Sequence, residues 1–343
     1  MVAELVVALI TAATVVFAYH RVDSEIDEGG DIEHVAQRPE PKLPSGTYNL
    51  LVLGTDTRDC DDCGIDGEGG KGGSDLTLLI HVADGRRSAY GISIPRDTLV
   101  DRPECTLEDG TTIPAATDVM WNDALAAGGP ACTVAQVEAV TGVYVDDYIV
   151  VDFGGFKDMV DALGGVEVCI PAEIDDPEHN IHLDAGTQTL DGDASLAYVR
   201  QRTSTPNADL GRMKRQQAFI ASMLNKITSA QILTNPTSVY RFAKAVAGSI
   251  TASPDIASVG KLGKLGLSLQ DANLDKIKFV TAPTAEFPEV DPNWGRLQLT
   301  TEADRLWEKV ANDEPLGSFG KGAISGNNQN GDKDVAAANG LCA

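Results

Sequence analysis

The length, composition and charge of the chain exclude several classes of protein. With 343 residues, of which 43% are hydrophobic and 23% charged, the chain can bury a large core and is neither a multi-span membrane protein nor disordered overall. Its 51 acidic and 27 basic residues give a net charge of −24, which repels the backbone of DNA and RNA. We therefore expect a folded soluble domain that binds no nucleic acid.

The N-terminal residues have the composition of a membrane anchor followed by a linker. The run from Met1 to Tyr19 is apolar apart from Glu4, and about 20 such residues are needed to cross a bilayer. No basic region precedes the run and no small-residue cleavage site follows it, so an anchor is favoured over a signal peptide. The acidic stretch that follows contains three prolines and is typical of a stiff linker outside the cytoplasm.

The remaining residues divide into a folded domain and a tail. From about residue 314 the chain is rich in glycine, asparagine, aspartate and alanine and nearly lacks large apolar residues, which predicts disorder. The predicted units are an anchor over 1–21, a linker over 22–46, a folded domain over 47–312 and a disordered tail over 313–343.

Apolar runs and amphipathic stretches follow one another along the folded domain. Residues 49–54, 76–82 and 89–94 are apolar runs with little alternation, as expected of strands that are covered on both faces. Strands mixed with helices predict a layered α/β sandwich. The predicted helices are 133–141, 153–163, 209–227, 236–250 and 301–311, and two further predicted strands are 166–170 and 277–281.

Two carboxylates adjoin the ends of the first predicted strands. Asp56 follows the first strand directly, and Asp75 opens the second. Strand ends in layered α/β proteins are where ligand groups tend to be displayed, and two carboxylates with substrate phosphate oxygens are a usual ligand set for Mg²⁺. The alternative is that both residues only form turns or cap the strand ends.

Arginines are concentrated in one part of this acidic chain. If residues 198–202 are extended, Arg200 and Arg202 point to the same side. Helical spacing puts Arg212, Arg215 and Gln216 on one face. A guanidinium group can donate two parallel hydrogen bonds to two phosphate oxygens, so the cluster indicates a phosphate or diphosphate ligand. Ion pairing with the many acidic residues is the alternative. Four of the 14 arginines lie within 16 residues, at Arg200, Arg202, Arg212 and Arg215.

Several motifs occur in a fixed order between Tyr48 and Asn225. They are Asn49–Arg58, Ser74-Asp75, Ser93–Thr98, Val151–Phe156, Asp161–Val166, Ala197–Arg202 and Asp209–Gln217. Together they resemble the LytR-CpsA-Psr family of bacterial cell-envelope proteins. The resemblance implies a layered α-β-α sandwich with a mixed central sheet flanked by helices, joined to one N-terminal membrane anchor.

The resemblance also implies a function. The family transfers glycopolymers from a polyprenyl diphosphate carrier to peptidoglycan and uses Mg²⁺, so the implied activity is that of a phosphotransferase. The implied location is the cell membrane, crossed once by the anchor, with the catalytic domain outside the cytoplasm. The implied partners are a polyprenyl (di)phosphate-linked glycopolymer, peptidoglycan and the membrane.

Residue by residue, the motifs imply the composition of the site. Asp56 and Asp75 match the metal-associated carboxylates. The residues that match the diphosphate-contacting set are Arg58, Arg96, Arg200, Arg202, Arg212 and Gln216. Those expected to be catalytic are Asp75, Arg96, Arg200 and Arg202. No group is singled out as the general base, although Asp75 qualifies if metal binding leaves one of its oxygens free.

Two positions depart from the family pattern. Gly73 replaces an arginine that usually precedes the Ser-Asp pair, and Met120 replaces a lysine usually found two residues before the asparagine near 122. The loss of these cations keeps open a noncatalytic polyprenyl-phosphate binder that acts in envelope assembly or its regulation. A third possibility is a diphosphatase that uses water as the acceptor.

Six cysteines on the presumed exported side of an anchor favour disulfides. A zinc site at Cys60 and Cys63 would need four ligands, and no second pair follows at a suitable spacing. Cys105 and Cys132 bracket the helical insertion as in actinobacterial-looking family members, and we predict that they pair. The remaining pairs are then Cys60 with Cys63, and Cys169 with Cys342.

Overall fold

The protein is built around a central mixed sheet. The computed structural model describes residues 19–33, 38–39, 46–55, 73–86, 88–177, 181–201, 208–229, 232, 234–271, 277–320 and 323–324. Seven of the described strands form the sheet, in the spatial order β1 (Asp27–Glu28), β14 (Ile250–Ala252), β9 (Asp147–Asp152), β2 (Tyr48–Thr55), β3 (Ser74–Val82), β4 (Ala89–Ile94) and β15 (Lys278–Thr281). β3 is antiparallel to both β2 and β4, whereas β9 and β15 run parallel to their neighbours β2 and β4. The predicted mixed sheet is therefore present.

Helices cover both faces of this sheet. On one face, α1 (Asp123–Thr141) and α7 (Thr301–Ala311) pack over Leu51 and Leu53 of β2. On the other face, Leu50 and Val52 of the same strand point toward α5 (Pro236–Ala247) and α6 (Val259–Asp271), and α4 (Ala208–Thr228) packs beside them over β3 and β15. Apolar side chains are thus buried on both sides of the strand, which explains why its sequence does not alternate.

A second packing unit extends from the end of β9. It contains α2 (Phe153–Ala162), α3 (Gly192–Arg200) and two hairpins. Val160 of α2 and Tyr198 of α3 pack against Phe219 of α4. The first hairpin pairs β10 (Val166–Ile170) with β13 (Gly186–Leu190), and the second pairs β11 (Ile174–Asp176) with β12 (Ile181–Leu183).

The segment between β4 and β9 holds the predicted helical insertion. It pairs β5 (Leu99–Arg102) with β8 (Ala116–Met120) and β6 (Cys105–Thr106) with β7 (Thr112–Ile113) before entering α1. Cys105 and Cys132 are disulfide-bonded as predicted, with their Cα atoms 5.3 Å apart. Cys169 is also disulfide-bonded, while Cys60, Cys63 and Cys342 lie outside the described residues.

Helix α1 differs from the prediction because it begins at Asp123, ten residues before the predicted start at 133. It is kinked at Gly128 and Gly129, and Gly129 has a φ of 66°. Glycine adopts this left-handed conformation readily. The kink interrupts the helical spacing of apolar residues, so the first half of the helix was not recognisable from its sequence pattern.

The predicted linker differs from an extended spacer because much of it contacts the domain. Val22 and Ile32 are buried, and β1 pairs with β14 at the edge of the sheet. Further along, the guanidinium of Arg38 forms an ion pair with the buried carboxylate of Glu138, with Nη2 2.8 Å from Oε1. Two apolar side chains and one strand ladder thus hold this acidic segment on the domain. None of the helices in the described residues is long and apolar enough to cross a membrane, and residues 1–18 lie outside that part.

The C-terminal segment also remains packed beyond the predicted end of the domain. Leu316 and Ile324 are buried, and Ile324 pairs with Phe279 of β15. Asp313 lies 3.1 Å from Nε2 of the buried His81. The predicted tail therefore contributes to the core at these positions, and residues 325–343 lie outside the described residues.

Candidate active site

One edge of the central sheet gathers the ends of several strands. β2 ends beside the start of β3 and the end of β9, because Thr55 pairs with both Ser74 and Asp152. At the same edge, β4 and β15 end together, with Ser93 paired to Thr281. Polar residues that follow or precede these strand ends are therefore brought to one rim.

Asp75 and Arg96 meet at this rim. Asp75 is the second residue of β3 and Arg96 follows the end of β4, and the antiparallel pairing of these strands brings the two side chains together. Nη1 of Arg96 donates to Oδ1 of Asp75 at 2.5 Å, and the side chains retain 19% and 23% of their exposure. The ion pair is consequently fixed by the sheet but remains open to a ligand.

A second acid and a second arginine extend this pair. Nε of Arg96 lies 3.6 Å from Oδ2 of Asp97, and Nη1 of Arg296 lies 3.5 Å from the other oxygen of Asp97. Arg296 directly precedes β17 (Leu297–Leu299), which pairs with β16 (Thr284–Glu286). The backbone N–H of Leu297 donates to the carbonyl of Asp97 at 3.1 Å. Charges of opposite sign therefore alternate along the rim, and the sequence motifs did not identify Arg296.

The two departures from the family pattern lie beside this network. A Cβ atom placed on Gly73 would be 3.3 Å from Nδ2 of Asn122 and 3.5 Å from its carbonyl oxygen. The backbone N–H of Asn122 donates to the carbonyl of Arg96 at 3.3 Å. Met120 is the last residue of β8 and pairs with Leu99 of β5. Asn122, which bonds to the backbone of Arg96, thus lies so close to Gly73 that a side chain at position 73 would require Asn122 to shift.

Arg200 is held at the same rim by a helix rather than by a strand. Residues 192–200 form α3, so Arg200 is its last residue and the extended arrangement considered for 198–202 is not present. Asp191 caps the start of the helix, since its side chain accepts a hydrogen bond from the backbone N–H of Ala194 at 2.9 Å. The guanidinium carbon of Arg200 lies 4.8 Å from the ring centroid of Phe153, which follows β9 directly. This cation–π contact fixes Arg200 near the end of β9.

The polar face of α4 supports the end of α3. Nε2 of Gln216 donates to the carbonyl of Val199 at 3.3 Å, and Nη1 of Arg215 donates to the carbonyl of Gln201 at 3.2 Å. These bonds satisfy carbonyls that a helix end leaves unpaired. Burial lowers the pKa of Arg215, and its guanidinium stacks 5.1 Å from the ring centroid of Tyr198. Arg215 therefore has a structural role.

The same helix is also fixed to the sheet edge. Nε2 of Gln217 donates to Oγ of Ser93 at 2.9 Å and to Oγ1 of Thr281 at 3.1 Å. Arg212, one turn before Gln216, is 4% exposed. Arg212, Arg215 and Gln216 thus lie along one side of the same helix as predicted, while the neighbouring Gln217 bonds to the strand that leads to Arg96.

The structure therefore brings together part of the predicted site. Asp75 and Arg96 are in contact, while Arg200, Arg212 and Gln216 are held on the helices around the same edge. Asp56, Arg58 and Arg202 lie outside the described residues.

Among the described residues, the carboxylate of Asp75 is suited to bind Mg²⁺. In the part of the chain that the structure describes, no group of three or more His, Cys, Asp or Glu side chains is arranged to hold a metal ion. Mg²⁺ is usually bound by one or two carboxylates together with water and substrate phosphates. The partly exposed carboxylate of Asp75 fits this requirement, and a carboxylate oxygen is the type of ligand that Mg²⁺ prefers.

Comparison with known proteins agrees with the motifs and the fold. A sequence model of the LytR_cpsA_psr family matches residues 14–311. The chain belongs to this family. A solved structure of a LytR-Csp2A-Psr enzyme from Actinomyces oris aligns over 84% of this chain and 96% of its own, with a TM-score of 0.64 and 20% identity. That likeness establishes the layered fold with its mixed sheet.

Two relatives have names that describe a role. This LytR-CpsA-Psr protein is 32% identical over 249 residues to the probable cell wall biosynthesis protein LcpB of Corynebacterium glutamicum, with 71% of this chain and 56% of LcpB covered. It is 34% identical over 209 residues to the polyisoprenyl-teichoic acid–peptidoglycan teichoic acid transferase TagU of Bacillus cereus, with 61% of this chain and 60% of TagU covered. The chain thus spans little more than half the length of these relatives.

Proposed function

We propose that this protein is a Mg²⁺-dependent phosphotransferase that moves a glycopolymer from a polyprenyl diphosphate carrier to peptidoglycan. The observation that carries the proposal is the Asp75–Arg96 ion pair, 2.5 Å long and partly exposed at a sheet edge that also holds Arg200. Support for the substrate class comes from the name of TagU, which specifies a polyisoprenyl-linked donor and a peptidoglycan acceptor. The proposed location is the cell membrane, with this domain outside the cytoplasm.

The site residues suit the charge changes of phosphoryl transfer. The oxygen of an acceptor hydroxyl forms a new bond to phosphorus and its proton passes to a base, while the bridging P–O bond breaks and prenyl phosphate leaves with the electron pair of that bond. The guanidinium groups of Arg96 and Arg200 neutralise the nonbridging oxygens and the leaving phosphate, where negative charge accumulates. When bound, Mg²⁺ supplies additional neutralisation of these oxygens. Asp75 keeps Arg96 in position and contributes a carboxylate ligand.

Asp97 and Arg296 define the rim on the other side of Arg96. Each oxygen of Asp97 lies near one arginine, so Asp97 restricts the orientations that the Arg96 side chain can adopt. Holding donors in place before the substrate arrives reduces the cost of reorganisation during the reaction. Asp97 is therefore proposed as a positioning residue.

The second candidate function is that of a noncatalytic binder. It is favoured because positions 73 and 120 carry glycine and methionine in place of basic residues. A site with fewer cations than its relatives can still hold a diphosphate through Arg96 and Arg200. A diphosphatase differs only in using water in place of the acceptor hydroxyl.

One experiment separates these functions. The purified full chain is incubated with a lipid-linked polymer and purified peptidoglycan, with and without Mg²⁺. We expect polymer covalently attached to peptidoglycan only when Mg²⁺ is present. Release of phosphate without attached polymer would indicate a diphosphatase, and retention of the prenyl diphosphate without turnover would indicate a binder.

A further inference from the structure

Several large apolar side chains remain exposed on α5, on α6 and at the N-terminal segment beside them. Within the described ranges, the large hydrophobic residues that remain exposed are Tyr19, Val239, Tyr240, Leu267, Val290 and Trp294. Four of these lie on α5, on α6 or at the N-terminal segment that contacts α6. We call the outward side of α5 and α6, together with Tyr19, the α5–α6 surface.

Helix α6 exposes one apolar and two basic side chains on the side that faces away from the sheet. Leu262 and Leu265 pack inward against the sheet. Leu267 is 65% exposed, and helical geometry places it almost directly opposite these two residues. Lys261 and Lys264 are also exposed. An exposed leucine beside two lysines is more typical of a surface that meets a partner than of one that faces only water.

Helix α5 presents the same combination of residue types. Its inward residue Val246 belongs to the same apolar cluster as the leucines of α6, so the two helices lie side by side on the sheet. Tyr240 and Lys244 are one turn apart and exposed, with Arg241 next to them. The outward sides of α5 and α6 therefore form one surface with aromatic, aliphatic and basic side chains.

The charge of this region is opposite to that of the whole chain. Residues 236–271, which span α5 and α6, contain four basic side chains and two acidic ones, Asp255 and Asp271, whereas the full sequence has 51 acidic and 27 basic residues. One of the four, Lys244, lies 3.7 Å from Glu25 and is partly compensated. A local excess of positive charge in such an acidic protein favours an anionic partner.

The N-terminal segment leaves the domain beside this surface. Oδ1 of Asp23 accepts a hydrogen bond from the backbone N–H of Val259, the first residue of α6, at 2.8 Å. A Cβ atom on Gly260 would lie 3.0 Å from the hydroxyl oxygen of Tyr19. The eighteen residues that precede Tyr19 are apolar apart from Glu4. If that run is embedded in a bilayer, Tyr19 lies at the bilayer surface and α6 begins within a few ångströms of it.

We propose that the α5–α6 surface lies on the anionic surface of a lipid bilayer. The proposal rests on the proposed membrane location of the protein. Leucine and tyrosine side chains enter the headgroup region, and the basic side chains pair with anionic lipid headgroups. The domain then lies against the membrane instead of being raised from it by a linker, because residues 22–33 are already used in packing against the sheet.

The test uses the full chain reconstituted in nanodiscs that contain brominated lipids, which quench tryptophan fluorescence on contact. Leu267→Trp reports on the α5–α6 surface. Val290→Trp is the matched control, because Val290 is also exposed but lies in the segment between β16 and β17. The parental protein gives the contribution of the native tryptophans. Each protein is measured in neutral discs and in discs that contain phosphatidylglycerol.

We expect bromolipid quenching of the tryptophan at 267, but not of the one at 290, in discs that contain phosphatidylglycerol. Replacing Arg241, Lys261 and Lys264 by Gln in the Leu267→Trp protein should weaken docking by about two orders of magnitude, reducing quenching to the control level. The same replacement of Arg305, an exposed residue of α7, should leave the quenching unchanged.

Three results would overturn the proposal. The first is equal quenching at positions 267 and 290, and the second is quenching at 267 that does not depend on lipid charge. The third is a blue-shifted, unquenched tryptophan at 267, which would mean that residues 1–18 or a second copy of the chain cover the surface. Failure of the chain to enter the nanodiscs would instead refute the membrane location on which the proposal rests.

Discussion

Replacing Asp75 by Asn should separate activity from stability. The substitution preserves the shape of the side chain and an oxygen that accepts from Nη1 of Arg96, 2.5 Å away, but removes the negative charge. A partly exposed ion pair contributes about 1 kcal/mol or less to the free energy of unfolding, which corresponds to a fall in melting temperature of about 2 °C for a domain of this size. Removing one preorganised electrostatic group from an active site costs roughly 2.7–4 kcal/mol in the barrier, a factor of about 10² to 10³ in rate.

The assay therefore needs two readouts on the same protein. Thermal unfolding followed by circular dichroism gives the change in melting temperature, and attachment of labelled polymer to purified peptidoglycan gives the rate. Glu302→Gln is a matched control, since Glu302 forms an ion pair of the same length, 2.5 Å, with Arg305 on the exposed side of α7. We expect both variants to remain folded and only Asp75→Asn to lose transfer.

Two outcomes would contradict this reasoning. Transfer by Asp75→Asn at the parental rate, with the same dependence on Mg²⁺, would mean that Asp75 is not part of the site. A loss of more than about 4 kcal/mol in the free energy of unfolding would be diagnostic of a structural role, because a rim carboxylate is not expected to support the core.

Three further predictions concern the rest of the molecule. Arg200→Ala should weaken binding of prenyl diphosphate by one to two orders of magnitude, since it removes a charge-assisted contact of about 1.5–3 kcal/mol; unchanged affinity in a titration would exclude that contact. Replacing both Cys105 and Cys132 by Ala opens a loop with a sequence separation of 27 and should lower the free energy of unfolding by about 3.5 kcal/mol in the chain-entropy model, as measured by urea denaturation. Burial lowers the pKa of His81, so the unfolded chain binds a proton at this histidine more readily than the folded protein does. The free energy of unfolding should therefore begin to decrease as the pH falls through about 6.5, the pKa of histidine in an unfolded chain. The carboxylate of Asp313 opposes this shift, and Asp313→Asn should therefore lower the pKa further in an NMR titration, whereas a rise would contradict the assignment.

The elements that could be predicted from the sequence are those whose local sequence pattern alone determines their secondary structure. Strands β2 and β4 are covered on both faces, and their apolar runs predicted them to within two residues at either end. Helix α6 was not predicted because Gly260, Gly263 and Gly266 lower its intrinsic helix propensity. It forms because Leu262 and Leu265 pack onto the sheet, and tertiary packing of this kind leaves no local signal.

The site shows the same division. Asp75 and Arg96 could be predicted because each adjoins a strand end, and neighbouring antiparallel strands bring such ends together. Arg296 could not, because only the pairing of β16 with β17 and the contact of Leu297 with Asp97 bring it to the rim. The position of Arg200 also depends on packing, since its helix ends where side chains of α4 bind the last carbonyls.

The strongly negative chain can bind the proposed anionic substrate because most of its charges lie farther from the rim than the distance over which salt screens them. A net charge of −24 over 17157 Å² of surface corresponds to one net negative charge per ~700 Å², a mean spacing of about 27 Å, whereas salt screens exposed charges beyond about 8 Å. A diphosphate at the rim therefore interacts chiefly with the side chains that border it. There Arg96, Arg200 and Arg296 lie close enough to meet it directly, although the protein as a whole is strongly acidic.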